Sequence, residues 1–218
     1  VDFQYATILG ASIPTKDWAV FTVGPDAFGN EAAAVEGFLR PDDGGPIVLS
    51  TMRVSGYGDD THPANGGNCG GNSDAFTLQT DTGILQFFVL NEIGHRADTE
   101  GGASGGPIIQ DSTGRVIGIH NTSLCEVAAF NSGVAFTKNN LADAINAFQG
   151  TNAIHLDAAA ASGGDGTAFE PFDQLAEAVT ATPTNGKLVI VAGSYAGSAT
   201  VDKHIDIVMP VGGVTLGD

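Results

Sequence analysis

Apolar residues fall in short runs broken by Gly, Asn and Ser along most of this chain, and only two stretches carry helical spacing. Residues 16–24, KDWAVFTVG, place Asp17 at the head of an apolar strand. Residues 108–120, IIQDSTGRVIGIH, set two apolar strands around a Ser-Thr-Gly turn, the pattern of a β-hairpin. NSGVAF at 131–136 adds another short strand, and KNNLADAINAFQ at 138–149 follows with Leu141, Ile145 and Phe148 on one helical face and Gly150 as a stop. A domain boundary is expected near 150–153. Beyond it, an Ala/Ser/Gly run and SGGDGTAFEPF lead into a helical segment at 172–182. Short strands come next: KLVIVAG, ATV, HIDIVMP and GVTLG. Short β runs at such close intervals suggest coils of a solenoid.

Between these elements lies EGGASGGPII at 100–109, a serine held between glycine pairs and closed by proline. A hydroxyl is a poor nucleophile at neutral pH. It needs a histidine to take its proton, a carboxylate to orient that histidine, and backbone amides to hold the oxyanion. Glycines at 102, 105 and 106 allow the tight turn that aims the Gly102 and Ser104 amides at one point. An isolated SGGP also occurs as an ordinary turn, and a lone Asp before a strand is more often simply solvated. The order of strand, nucleophile turn and hairpin favours chemistry.

With those residues in view, residues 1–149 resemble the latter part of a secreted, chymotrypsin-fold (trypsin-like) serine peptidase of bacterial type, related to the glutamyl endopeptidases. KDWAVFTVG, VSGYG at 54–58, ADTEGGASGGPII at 97–109, GRVIGIH at 114–120 and NSGVAF carry the resemblance. It implies the second barrel and the end of the first, closed by a terminal helix, with Asp17 as triad carboxylate, Ser104 as nucleophile, and Gly102 with Ser104 as oxyanion donors. Two departures stand out. The family's histidine precedes the aspartate, whereas His62, His95, His120, His155 and His204 all follow Asp17; the chain is therefore expected to be a fragment whose triad histidine lies before Val1, and the fragment alone is expected to be inactive. Ala103 stands where trypsins carry the aspartate that pairs with a new amino terminus, which argues against that activation route.

In glutamyl endopeptidases a histidine after the nucleophile hairpin and a threonine ahead of the nucleophile bind the substrate's acidic side chain, and His120 and Thr99 match those positions. A histidine can donate to a carboxylate and, when charged, compensate it. Two alternatives stay open: a neutral histidine packed in the core, and a basic preference set by Glu100.

Composition agrees with a secreted enzyme. Eight Lys and Arg against 25 Asp and Glu give a net charge of −17, which disfavours nucleic-acid and anionic-membrane partners. The 31 glycines point to a turn-rich, all-β protein. Neither cysteine belongs to a metal-ligand cluster, and in an extracellular setting Cys69 and Cys125 suggest one disulfide. No apolar run is long enough to span a bilayer. Residues 151–218 resemble the amino-terminal cap and first coils of a truncated right-handed parallel β-helix of pectate-lyase type, with the 172–182 helix covering the open end. Asp157, Asp165 and Asp173 follow no calcium-binding spacing, so turn and capping roles are expected, with no metal or cofactor.

Two functions compete: a secreted or cell-surface bacterial endopeptidase acting on protein or peptide substrates, and a non-catalytic, protease-like binding or adhesion protein with a β-helix module.

Overall fold

A computed structural model describes residues 3–6, 17–21, 28, 38–42, 44–58, 77–99, 101–123, 130–137, 141–149, 152–209 and 213–217. Contacts divide the chain into two compact units, Gln4–Val20 with Leu39–Asp143, and Val1–Phe3 with Phe21–Phe38 and Ala144–Asp218. Strands β1 (Phe3–Ala6) and β2 (Trp18–Phe21) pair as a small separate sheet.

The first unit is built on a closed six-stranded antiparallel barrel. Its strands are β3 (Thr51–Gly56), β4 (Gln79–Val89), β5 (Glu92–His95), β6 (Pro107–Gln110), β7 (Arg115–Thr122) and β8 (Asn131–Ala135), and they close in the order β3-β4-β5-β8-β7-β6. Closure leaves no unpaired strand edge, and the alternation along each strand sends one set of side chains inward. Met52, Val54, Leu85, Ile93, Ala97, Ile108, Ile117 and Ala135 form that core, with Phe88 packed against it. The expected hairpin is present as β6 and β7, joined through residues 111–114. Strands β4 and β5 answer to no apolar run picked out in the sequence: β4 alternates exposed and half-buried positions through QTDTGI. Helix α1 (Leu141–Gln149) follows β8 within the stretch where the sequence pattern predicts a helix.

In the second unit the strands run parallel. Strands β9 (Ala153–Leu156), β10 (Gly186–Ile190) and β12 (Ile205–Val208) form one sheet in the order β12-β10-β9, and β11 (Gly193–Tyr195) pairs with β13 (Val214–Leu216) in a second. Helix α2 (Leu175–Ala181) buries Leu175, Ala178 and Val179 in a core shared with Leu156, Leu188, Ile190 and Tyr195. The Tyr195 hydroxyl reaches the Val191 and Leu156 carbonyls, tying the turn after β10 to β9. Residues 199–201, expected as a strand, join no ladder; Ala199 packs against the core instead. Asp157 and Asp165 each accept a hydrogen bond from the amide two residues on, at 2.9 Å, which is the turn-forming role expected of them. No helix among the described residues is long and apolar enough to cross a membrane.

Candidate active site

Ser104 sits in the turn between β5 and β6, its side chain exposed. Two glycines shape that turn. Gly102 has φ +96°, a region costly for any residue with a Cβ. Gly106 lies so close to β3 that a Cβ there would come within 2.4 Å of the Ser55 carbonyl oxygen.

The turn is held by main-chain bonds to β7. The Gly105 amide donates to the His120 carbonyl and the His120 amide to the Gly106 carbonyl, each at 2.8 Å. The Gly106 amide is also satisfied, by the Ala103 carbonyl at 3.0 Å. The Gly102 and Ser104 amides, by contrast, have no hydrogen-bond partner among the described residues. Ser104 Oγ donates to the Asn121 carbonyl at 3.3 Å.

Thr99, Ser123, His120 and His95 form a polar chain, buried except at the half-buried Ser123. Thr99 Oγ1 accepts from Ser123 Oγ at 3.1 Å, Ser123 Oγ lies 2.9 Å from His120 Nε2, and His120 Nδ1 lies 3.1 Å from His95 Nε2. With the Ser123 proton given to Thr99, the Ser123 oxygen accepts from His120 Nε2–H, and His120 Nδ1 accepts from His95 Nε2–H. The network thus assigns one tautomer to each ring. The far nitrogen of His95, Nδ1, is buried with no partner meeting hydrogen-bond geometry among the described residues.

Both rings have no exposed surface, and burial disfavours the charged form. Desolvation, helped by the neighbouring His120 and opposed by the Ala97 backbone, lowers the His95 pKa from 6.5 to about 3. Desolvation, opposed by the Ser132 backbone, lowers that of His120 to about 4. Both are neutral at pH 7. Either can pass a proton along the chain, but neither is a standing positive charge.

The residues singled out in the sequence thus separate into three groups. Ser104, Gly102, Thr99 and His120 share one region, joined through β7 and Ser123. Asp17 lies exposed immediately before β2 and bonds neither Ser104 nor a histidine among the described residues. Cys69, Cys125 and Glu100 lie outside the described residues. Ser123 was not singled out in the sequence, and His95 was named there only among the histidines that follow Asp17. His95 stands 25 residues before His120 in the chain, and they meet because β8 pairs with both β5 and β7. Among the described residues no three His, Cys, Asp or Glu side chains form a group able to hold a metal.

Comparison with known proteins adds the family. Among solved structures, a Glu endopeptidase in complex with MPD matches with 20% identity and a TM-score of 0.37, over 47% of this chain and 43% of that one. A scabies mite inactivated protease paralogue matches with 18% identity and a TM-score of 0.33, over 44% and 45%. An inactive mutant form of an M. tuberculosis protein matches with 18% identity and a TM-score of 0.32, over 48% and 50%. The chain spans half the length or less of these structures. No curated protein matches it. The family model described as "Trypsin-like peptidase domain" matches residues 2–119, more than half of the sequence, and the chain belongs to that peptidase family.

Proposed function

We propose that residues 1–150 are the latter part of a secreted serine endopeptidase domain, with Ser104 as nucleophile, Asp17 as triad carboxylate, and a histidine ahead of Asp17 as general base. In this reaction Ser104 Oγ attacks the scissile carbonyl carbon while its proton passes to that imidazole. The Gly102 and Ser104 amides hold the oxygen as it becomes an anion. The imidazole then protonates the departing amine, and water releases the acyl group from Ser104.

The observation that carries this reading is the state of the turn's amides, of which that of Ala103 is likewise unpartnered among the described residues. Those of Gly105 and Gly106 are consumed in fixing the turn, while those of Gly102 and Ser104, beside an exposed hydroxyl, are unpartnered among the described residues. Two free donors next to a nucleophile are what an oxyanion requires.

Thr99 and His120 form the wall that recognises a substrate carboxylate, with Ser123 joining them and His95 positioning His120. A carboxylate that enters here and takes the place of Ser123 Oγ at His120 Nε2 accepts its N–H and stabilises a proton on His120, so acidic residues before the scissile bond are favoured. Residues 151–218 are the cap and first coils of a parallel β-helix that anchors the enzyme or presents its substrate. The parallel pairing of β9, β10 and β12, and of β11 with β13, supports this reading. The low count of basic residues suits an extracellular protein whose partners are peptides rather than nucleic acids.

Labelling with a fluorophosphonate probe tests the proposal. The 218-residue chain alone is expected to label weakly and to cleave nothing. The product of the longer reading frame, carrying a histidine before Asp17, is expected to label in a manner abolished by Ser104→Ala. A frame with no such histidine, or a longer product that does not label, would overturn the enzyme reading in favour of a binding protein.

A further inference from the structure

Register fixes what the outer face of the β3–β4 ladder carries. Met52 and Val54 of β3 point into the barrel core, so Arg53 and Ser55 point away from it. Opposite them on β4 stand Thr82 and Thr80, and Ser55 Oγ meets Thr80 Oγ1 at 2.8 Å on that outer face. The ladder ends with Gly56 opposite Gln79. One residue further along each strand come Tyr57 and Leu78, which the alternation returns to the outer face. There the polar pattern breaks: Tyr57 is 58% exposed and Leu78 is 64% exposed.

This end of the ladder borders the Ser104 turn. Strand β6, which the turn leads into, has β3 on one side and β7 on the other. Gly56 packs on the turn so closely that a Cβ there would come within 3.2 Å of the Ala103 Cα, while His120 of β7 tethers the turn from the opposite side. A peptide laid across Ser104 therefore passes from one flank to the other. Its acyl side is assigned above to the β7 flank, where Thr99, His120 and Ser123 stand, so the departing amine leaves over the β3 flank. Neighbouring strands are about 4.8 Å apart, which puts β3 and β4 about 5 and 10 Å from β6. An extended peptide advances about 3.3 Å per residue, so its second and third residues beyond the scissile bond reach that distance.

We infer that Tyr57 and Leu78 form a shelf for the leaving-group side of the peptide substrate, selecting apolar or aromatic side chains at the second and third residues after the scissile bond. The inference rests on the endopeptidase reading above and adds to it the residues that sort substrates beyond the bond. A substrate side chain laid on both Tyr57 and Leu78 removes apolar surface from water on three residues at once, and an aromatic one also gains ring contact with Tyr57. A charged side chain gives up hydration at the same place without that return.

Competition between two peptides in one reaction, with the product of the longer reading frame as enzyme, tests the inference. Both peptides carry Glu before the scissile bond; one has Leu and Phe as the second and third residues after it, the other Ser at both. The first is expected to be cleaved with a kcat/KM about fivefold higher. Tyr57→Ser and Leu78→Ser should each cut that ratio to about twofold, while Tyr57→Phe keeps it. Val89→Ser, exposed at the far end of β4, should also keep it. A ratio taken within one reaction does not depend on how much of a variant is folded. The shelf is overturned, and the endopeptidase reading left standing, by a wild-type ratio near one, by a preference that survives both serine variants, or by one that Val89→Ser removes equally. A longer product that cleaves neither peptide overturns both.

Discussion

Acid should unfold the barrel through the His95–His120 pair, and His95→Gln isolates the effect. Both folded pKa values are depressed, to about 3 and about 4, against 6.5 in the unfolded chain. Between pH 6.5 and pH 4 the unfolded chain therefore binds two protons that the folded barrel does not. The sign follows directly: the full stability is present above pH 6.5, falls as pH drops through the window, and levels off once the folded rings themselves protonate. Each ring contributes a slope of about 1.4 kcal/mol per pH unit. Lowering the pH from 6.5 to 4.5 thus costs about 3 kcal/mol per histidine as an upper bound, a large share of the roughly 5–15 kcal/mol that holds a domain together. Glutamine at 95 does not titrate and retains an N–H able to donate to His120 Nδ1, so the variant's slope should be smaller than the wild type's by about 1.4 kcal/mol per pH unit. Urea unfolding at pH 7, 6, 5 and 4.5, followed through the protected amides of β5 and β8, measures both slopes under the same carboxylate background. Equal slopes in wild type and variant would refute the reasoning, because the two rings would then not be held neutral by the fold.

Gly106→Ala should destabilise the barrel by about 3 kcal/mol or more, since the new methyl meets the Ser55 and Ala103 carbonyl oxygens at 2.4 and 2.9 Å; thermal melts measure it. Leu90→Asn should raise stability by about 1 kcal/mol, because Leu90 is 84% exposed and holds φ +51° at the tip of the β4–β5 hairpin, where its side chain gains nothing for the strain. In the proposed endopeptidase, His120→Ala should reduce cleavage after Glu by about a hundredfold while sparing small residues, and Ser123→Ala should do so by about tenfold. A peptide-library cleavage profile reads both, and a basic preference abolished by Glu100→Gln would reverse the assignment.

The Ser104 turn was legible because its requirements are local: it needs glycine at 102 and 106 for reasons of φ and close approach, and glycines are visible in a sequence. The β6–β7 hairpin was legible for the same reason, with its turn residues lying between its strands. Strands β4 and β5 were not: the first half of β4 runs through polar residues held by pairing with β3, and its apolar second half, which sends Leu85 and Phe88 to the core, was not picked out. The His95–His120 contact is the clearest loss. Nothing in EIGH distinguishes a histidine that meets another across β8 from one that faces solvent, and only barrel closure decides it. Residues 199–201 erred in the opposite direction, because ATV has strand composition but no neighbouring strand to pair with.

The two bonds that tether the Ser104 turn to β7 are made by the main chain of His120, while the contacts to Ser123 and His95 are made by its ring. Position 120 therefore carries two separable duties on one residue. Exchanging its side chain alters the buried polar contacts to Ser123 and His95 yet leaves both tethers in place, since every residue except proline supplies the same amide and carbonyl. Selection, or a protein engineer, can thus change the polar contacts made at position 120 without releasing the main-chain tethers of the Ser104 turn.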